Sequence, residues 1–187
     1  MCYLTDNLLP LVLSIKPKKT ESYILQALDL GERVSPQSIL IAFGERIEQF
    51  WNTAISDSLV AQNLIEKSNR IDVKGRTRQI DHLFRVEAGT WYLESKCNLN
   101  FDSEKVRASN DKIKEISSTL GESVNAGYFV PVVAEVKQSE RTKYRNKGVE
   151  VYGVDWMIET IQPPFTVDEY FTFLREVVAP IFTEMGL

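Results

Sequence analysis

Cysteine and histidine are scarce in this sequence, and their scarcity excludes several kinds of site. Among 187 residues there are two cysteines, Cys2 and Cys97, and one histidine, His82. Two cysteines form neither a disulfide framework nor a zinc-binding pattern, and zinc sites of the H-x-x-x-H type need more than one histidine. We therefore expect Cys97 to be a buried small apolar residue and His82 to pack in the core.

Long apolar runs, nucleotide-binding loops and an excess of positive charge are also missing. No apolar run reaches membrane-spanning length, and Met1 to Pro10 lack the basic region and the cleavage site of a signal peptide. No P-loop or glycine-rich dinucleotide fingerprint occurs, so neither ATP-driven nor dinucleotide chemistry is supported. The net charge of −4 does not by itself indicate a nucleic-acid binder. We expect a cytoplasmic protein that does not bind a membrane.

Length and composition favour one domain. The chain has 43% hydrophobic and 26% charged residues, which are ordinary values for a soluble globular protein. With 187 residues it is long enough to bury a core of its own. We therefore predict a single domain over residues 1–187.

A predicted β-hairpin contains the residues with the clearest chemistry. Residues 80–86 alternate between apolar and polar side chains, with Ile80 and Phe84 on the same side. Residues 88–90 supply a tight turn, and residues 91–99 return with a composition typical of a strand. The pattern therefore predicts two antiparallel strands joined by that turn.

Two carboxylates and one lysine meet on one face of this hairpin. Because side chains alternate across a strand, Glu94 and Lys96 point to the same face, and His82 points away from Asp81. Pairing of the two strands brings Asp81 close to Glu94. Two carboxylates suit Mg²⁺, which binds through one or two carboxylates plus substrate phosphate, and a neighbouring ammonium can orient a metal-activated water. The arrangement predicts hydrolysis of a phosphodiester bond.

These residues resemble a known family. Asp81 followed by Glu94-Ser95-Lys96, in the pattern Asp-x(12)-Glu-x-Lys, is similar to the PD-(D/E)XK nuclease superfamily, most of all its type II restriction endonucleases. Ile80 stands where the family has its proline. The resemblance implies that Asp81 and Glu94 bind Mg²⁺, that the Ser95 carbonyl adds a ligand, and that Lys96 positions the attacking water.

The family's fold is the second implication of the resemblance. It is an α/β fold, a restriction-endonuclease-like α/β/α sandwich with a central mixed β-sheet. We expect its core at about residues 35–160 and a C-terminal helix over 166–185. The order of predicted elements agrees, because a helix from Asp102 to Leu120 precedes a strand over 128–136, a helix over 139–146 and a parallel strand over 149–156.

A long helix precedes the hairpin. It is predicted from Pro36 to about Ser56, with Ser35 as its N-cap. Glu48 falls at the edge of its apolar stripe, and Glu45 lies almost opposite that stripe. Restriction endonucleases of this fold often carry a helix here whose acid supports the metal site, so the resemblance makes Glu48 the supporting acid and Glu45 the reserve. A boundary glutamate in an ordinary salt bridge is an equal alternative.

Basic residues lie near the hairpin and in a later helix. Neutralising phosphates releases counterions, so basic side chains beside an acidic metal site favour a phosphodiester substrate. The residues predicted to contact DNA are Lys74, Arg76, Arg78, Arg141 and Lys143. Solvated charges in turns are the alternative for each of them.

The sequence thus predicts a Mg²⁺-dependent type II restriction endonuclease of a restriction-modification system. The resemblance implies cleavage of specific double-stranded DNA by a two-fold homodimer. Three alternatives stay open. The chain is a nuclease of the same superfamily in repair, defence or RNA processing, a non-catalytic nucleic-acid-binding module of this fold, or a protein whose Glu94 and Lys96 form an ordinary surface ion pair.

Overall fold

The structure, a computed structural model, describes most of the chain. The described residues are 2–16, 19–20, 33–65, 69–97, 103–121 and 123–187, so the predicted helix start at Asp102 lies outside them. The chain divides into two compact units. The first comprises Met1–Phe50 and Asp168–Leu187, and the second comprises Trp51–Val167. The single domain predicted over residues 1–187 stays a prediction.

Helices and short strands alternate along the described residues. In chain order the helices are α1 (Tyr3–Asn7), α2 (Leu9–Leu13), α3 (Pro36–Asp57), α4 (Ser103–Leu120), α5 (Gln138–Arg145), α6 (Val154–Ile161), α7 (Val167–Phe173) and α8 (Ala179–Glu184), with a π-helical turn at Leu174–Val178. The strands are β1 (Lys19–Thr20), β2 (Arg33–Val34), β3 (Gln62–Asn63), β4 (Arg70–Val73), β5 (Arg76–Gln79), β6 (His82–Val86), β7 (Gly89–Ser95), β8 (Val124–Phe129) and β9 (Glu150–Tyr152). None of these helices is long and apolar enough to cross a membrane.

A five-stranded mixed sheet forms the centre of the second unit. Its order is β3-β6-β7-β8-β9, and β3, β6 and β7 pair antiparallel while β7, β8 and β9 pair parallel. Parallel neighbours need crossover connections, which α4 and α5 supply. The predicted α/β fold with a central mixed sheet is confirmed, and its strands and helices follow the predicted order. A separate hairpin of β4 and β5 is inserted between β3 and β6.

Helices cover both faces of this sheet. On one face, which we call the α4 face, Tyr92 and Tyr128 pack with Ile113 and Ile116 of α4 and Tyr144 of α5. Apolar burial of this kind is the main favourable contribution to folding.

The other face, which we call the α6 face, carries aromatic contacts. The Trp51 and Phe129 ring centroids are 5.2 Å apart, and those of Trp91 and Trp156 in α6 are 4.8 Å apart. Because Trp51 belongs to the last turns of α3, the sheet lies between helices, as a sandwich requires.

The first strand of the hairpin begins later than predicted. The Ile80 amide donates to the Asn69 carbonyl at 2.8 Å, so β6 begins at His82. Ile80 packs in the apolar cluster of the α4 face, whereas Phe84 pairs with Trp91 and lies on the α6 face. The prediction that Ile80 and Phe84 share a face was wrong, because the chain bends at Asp81, between β5 and β6.

Two later strands are shorter than predicted. β8 ends at Phe129 instead of reaching residue 136, because Pro131 lacks the amide that a further ladder bond needs. β9 ends at Tyr152, and Trp156 belongs to α6. The chain turns at Gly153, where a Cβ atom would collide with the Ala134 carbonyl oxygen. Cys97 is exposed, which corrects the expectation of a buried residue.

The first unit has its own core. Leu4, Leu8, Ile39 and Phe50 are fully buried, and the Phe50 ring stacks on Tyr170 at 6.1 Å. Residues 167–184 are helical throughout, and the π-helical turn comes directly before the helix that contains Pro180. Proline has no amide hydrogen for the regular helical hydrogen bond, which explains why the hydrogen bonding changes to a π-helical turn at this point.

Candidate active site

The end of the β6–β7 hairpin places Asp81 beside the last residues of β7. Pairing runs from Val86 opposite Gly89 to His82 opposite Leu93. The hairpin turn is therefore Glu87-Ala88, and the predicted turn at residues 88–90 was placed too late in the chain. Within residues 69–97, the pairing of β6 with β7 ends at His82 and Leu93. Beyond this pair, the Ser95 amide donates to the side chain of Asp81, at 2.9 Å from Oδ2. The register therefore fixes the Asp81 carboxylate at the end of β7.

Glu94 is a buried carboxylate with three donors. Its Oε1 accepts a bond from Lys96 Nζ at 2.8 Å, and its Oε2 accepts bonds from Lys112 Nζ at 2.6 Å and from the Tyr92 hydroxyl at 3.1 Å. Both lysines are half-buried. A buried carboxylate needs such partners, because an unpaired buried charge is strongly destabilising. The contacts hold Glu94 in one orientation.

The two carboxyl groups have opposite pKa shifts. Burial, followed by the charge of Glu94, raises the pKa of Asp81 from 3.8 to about 6. Burial would also raise the pKa of Glu94, but Lys96 and Lys112 outweigh it and lower the pKa below its ordinary value. Neighbouring acids whose environments separate their pKa values are common at functional sites.

Asn52 of α3 holds the start of β6. Its Nδ2 donates to the Asp81 main-chain oxygen at 2.9 Å, and its Oδ1 accepts a bond from His82 Nδ1 at 2.8 Å. His82 is fully buried on the α6 face, and burial lowers its pKa to about 3. The expectation that His82 packs in the core, away from Asp81, is confirmed.

The structure brings together four of the predicted site residues. Asp81, Glu94, Ser95 and Lys96 lie at one end of β7 and are joined by the hydrogen bonds described above. Glu48 belongs to the first unit, where it is half-buried on α3, and its role as the supporting acid stays a prediction.

The sequence interpretation missed three residues that contact the carboxylates or their main chain. Lys112 and Tyr92 both contact Glu94 Oε2, and Asn52 contacts the main-chain oxygen of Asp81. The available signal for Lys112 is its place at the edge of the α4 stripe, one turn before the buried Ile116. For Asn52, the available signal is that a polar side chain lies between the buried residues Trp51 and Ala54 of the same helix.

The oxygen atoms present fit Mg²⁺ better than zinc. Across the described residues there is no group of three or more histidines, cysteines or acids that could hold a metal ion. Mg²⁺, however, binds through one or two carboxylates and keeps several waters. Asp81 and Glu94 supply two carboxylates, and the Ser95 carbonyl has no ladder partner on β6. The raised pKa of Asp81 beside an ionised Glu94 indicates a site where a divalent cation would favour the ionised carboxylate.

The basic residues predicted to contact DNA have different surroundings. Lys74 and Arg76 are exposed at the β4–β5 turn, and Arg78 Nη2 is 3.1 Å from Glu115 Oε2 on α4. Arg141 is half-buried, and Lys143 is exposed with its Nζ 5.5 Å from the centroid of the Tyr144 ring. Their contact with DNA stays a prediction.

Comparisons with known proteins give structural similarity at low identity. No protein-family model matches the chain, and no curated protein matches it. The structure of Can2 from Sulfobacillus thermosulfidooxidans in complex with cyclic tetra-adenylate matches at 14% identity and a TM-score of 0.43, over 83% of this chain and 49% of that one. The crystal structure of protein VC1899 from Vibrio cholerae matches at 13% identity and a TM-score of 0.40, over 84% of this chain and 48% of that one. This chain thus spans about half the length of each of these proteins.

Proposed function

We propose that this chain is a Mg²⁺-dependent nuclease that hydrolyses phosphodiester bonds. One observation carries the proposal: Asp81, the buried Glu94 and Lys96 converge at the end of β7. An ordinary surface ion pair would not be buried, would not include a second lysine and would not lie beside a carboxyl group with a raised pKa. The geometry favours a site that binds a cation and a phosphate group.

Each residue has a distinct role in the proposed reaction. Asp81, Glu94 and the Ser95 carbonyl would hold the ion. Mg²⁺, when bound, lowers the pKa of a coordinated water and offsets charge on a phosphoryl oxygen. Lys96 orients the attacking water and stabilises the negative charge that develops on the phosphoryl oxygens.

Lys112 and Tyr92 are positioning residues in this proposal. Both contact Glu94 Oε2, so they keep the carboxylate aimed and ionised. Asn52 acts in the same way on the main chain of Asp81. A site whose carboxylates are held before substrate arrives loses less free energy when the transition state forms.

Digestion of nucleic acid with and without Mg²⁺ tests the proposal. Replacing Asp81→Asn, Glu94→Gln or Lys96→Met should lower the cleavage rate by about 100-fold or more, the usual effect of losing one charge-stabilising group. Asp111→Asn, an exposed carboxylate on α4, is the matched control and should cleave normally. If the three variants retain wild-type activity, this site is not catalytic. If no DNA or RNA is cut with any divalent ion, a non-catalytic binding module is favoured.

The more specific proposal is a type II restriction endonuclease acting on double-stranded DNA. It rests on the Asp-x(12)-Glu-x-Lys pattern and on the predicted order of strands and helices, which the fold bears out. Digestion of a long phage DNA should give discrete bands with identical ends. A smear, or cleavage of single strands or RNA alone, would instead favour a nuclease of repair, defence or RNA processing.

A further inference from the structure

A cavity lies on the α6 face of the sheet, away from the carboxylates of the α4 face. Its volume is about 570 Å³, a size typical of ligand pockets. It opens beside the hairpin turn, and the residues that matter for its chemistry are Trp91, Trp156, Glu87 and Glu159. Because it lies on the opposite side of the sheet, it is separate from the proposed nuclease site.

The lining of this cavity combines aromatic rings with negative charge. Trp91 and Trp156 supply the rings, and Glu87 and Glu159 supply the carboxylates. None of the described lining residues is a lysine or arginine. Two carboxylates disfavour a phosphate, whereas tryptophan faces and carboxylates both attract an organic cation. The chemistry therefore favours a guanidinium or alkylammonium group.

The aromatic walls are held by their own contacts. The centroid of the Trp156 ring lies 4.8 Å from that of Trp91 and 4.2 Å from that of Tyr152. The centroids of Trp91 and Tyr152 are 5.6 Å apart, and the two ring planes are perpendicular. Rings fixed before binding cost less conformational entropy when a ligand arrives. The aromatic walls of the cavity are therefore preorganised for a ligand.

An exposed apolar pair adjoins the cavity and indicates the source of the cation. Leu59 is 100% exposed, and Val60, which lines the cavity, is 44% exposed. Apolar side chains beside a polar pocket are typical of protein interfaces. A free small cation would make no use of Leu59. We propose that this cavity binds an arginine or lysine side chain of a partner protein, with an apolar residue of the same segment on Leu59 and Val60.

Tryptophan fluorescence of the full chain tests this proposal. The protein has three tryptophans, and the fully buried Trp51 is not among the cavity residues. The probe is the acetylated, amidated tripeptide Leu-Arg-Leu, and the control is the same peptide with citrulline, which is neutral and of similar shape. The arginine peptide should give a saturable change that is smaller in Trp156→Phe, where Trp91 remains as a reporter, and the citrulline peptide should bind about tenfold more weakly.

Three variants locate the interaction. Glu87→Gln with Glu159→Gln should weaken the arginine peptide about tenfold, and Leu59→Ser should weaken it while leaving arginine amide unaffected. Lys96→Met, which changes the proposed nuclease site but not the cavity, should bind the peptide as the wild type does. Peptide binding is thereby tested independently of the nuclease proposal. Circular dichroism checks that each variant is folded.

Several results would overturn the proposal. They are the absence of any saturable response, equal binding of the citrulline peptide, and equal binding of arginine amide and the tripeptide. Competition by a DNA oligonucleotide would assign the cavity to nucleic acid. Self-association that Leu59→Ser abolishes would assign this surface to a second copy of the chain.

Discussion

At the scale of single residues, the proposed reaction gives the two lysines that contact Glu94 different roles. Lys96 follows β7 directly and bonds Oε1, whereas Lys112 approaches Oε2 from α4. Both lysines lower the pKa of Glu94 and so keep it ionised, and both add positive charge where Mg²⁺ is proposed to bind. One lysine is therefore assigned to the reacting water, and the other to the orientation of Glu94.

Lys112→Met separates these tasks. Losing one positive charge beside Glu94, a proposed metal ligand, should tighten the binding of Mn²⁺ severalfold, because repulsion between the lysine and the ion is removed. Calorimetry measures this affinity. The cleavage rate should fall by about tenfold, less than for Lys96→Met, because Tyr92 still contacts Glu94. Lys114→Met, exposed on the same helix, is the control for charge alone. Weaker Mn²⁺ binding in Lys112→Met would contradict this assignment.

The raised pKa of Asp81 predicts how stability depends on pH when EDTA removes divalent ions. The folded protein holds this proton up to about pH 6, whereas the unfolded chain releases it near pH 3.8. The contribution of Asp81 is therefore fully present below the unfolded pKa and is lost as the pH rises through about 6. Since one pKa unit corresponds to about 1.4 kcal/mol, the loss is at most about 3 kcal/mol.

Asp81→Asn removes this titration and provides the measurement. Its free energy of unfolding, from urea titrations at several pH values, should exceed that of the wild type above pH 6. The difference should shrink between about pH 6 and pH 4 as the wild-type carboxyl takes up its proton. A difference that does not change with pH would show that Asp81 ionises as easily in the folded protein as in the unfolded chain.

Local spacing explains which site residues were predicted. Asp81, Glu94 and Lys96 belong to one hairpin, where alternation of side chains and a short turn determine their neighbours. Lys112 and Asn52 reach the same site from helices, with contacts that span 18 and 29 residues of sequence. Helix packing sets those contacts, and no short-range pattern encodes it.

At the scale of elements, glycine 127 in β8 fixes the approach of β9. A Cβ atom at Gly127 would lie 2.7 Å from the Glu150 main-chain oxygen and 2.8 Å from the Tyr152 ring. Gly127→Ala should therefore lower the free energy of unfolding by about 2 kcal/mol or more, measured by urea titration. Gly75→Ala meets no neighbouring atom and should cost about 1 kcal/mol through its left-handed backbone alone. An equal loss in both variants would contradict the tight contact between the strands.

The β4–β5 hairpin carries the clearest prediction on nucleic-acid binding. Arg76 is exposed, whereas Arg78 is paired with Glu115. If both contact phosphates, Arg76→Gln should lower the slope of log affinity against log salt by about 0.9. Arg78→Gln should lower it by less, because Glu115 already neutralises part of its charge. An unchanged slope in Arg76→Gln would exclude this contact.

Element types were predictable, but their ends were not. The two-residue period of the hairpin and the apolar stripe of α3 predicted these elements correctly, and Asp102 and Gly121 indicated the helix that became α4. The ends of β6 and β8 depend on where amides find partners, as the Ile80 amide does at Asn69 and as Pro131 cannot. Such partners come from other segments, so the sequence pattern alone overestimated both strands.

At the scale of the whole molecule, a net charge of −4 limits how nucleic acid can be held. Long-range attraction does not favour a polyanion, so affinity must come from local contacts and from the proposed Mg²⁺ ion. Binding should therefore weaken steeply when EDTA removes the metal, as measured by filter binding in Ca²⁺ and in EDTA with the wild type. Equal affinity in both conditions would mean that the carboxylates do not take part in binding.

If the chain cuts double-stranded DNA as proposed, the number of chains that act together determines how a plasmid is cleaved. The described residues of each chain hold one candidate nuclease site, and one site cuts one strand at a time. In a two-fold homodimer both strands are within reach of a site at once, so supercoiled plasmid should become linear with little nicked form. A monomer should instead accumulate nicked plasmid before the linear form appears. Mixing wild-type chains with an excess of Lys96→Met chains distinguishes the two, because only a dimer that pairs one active and one inactive site converts double-strand breaks into nicks.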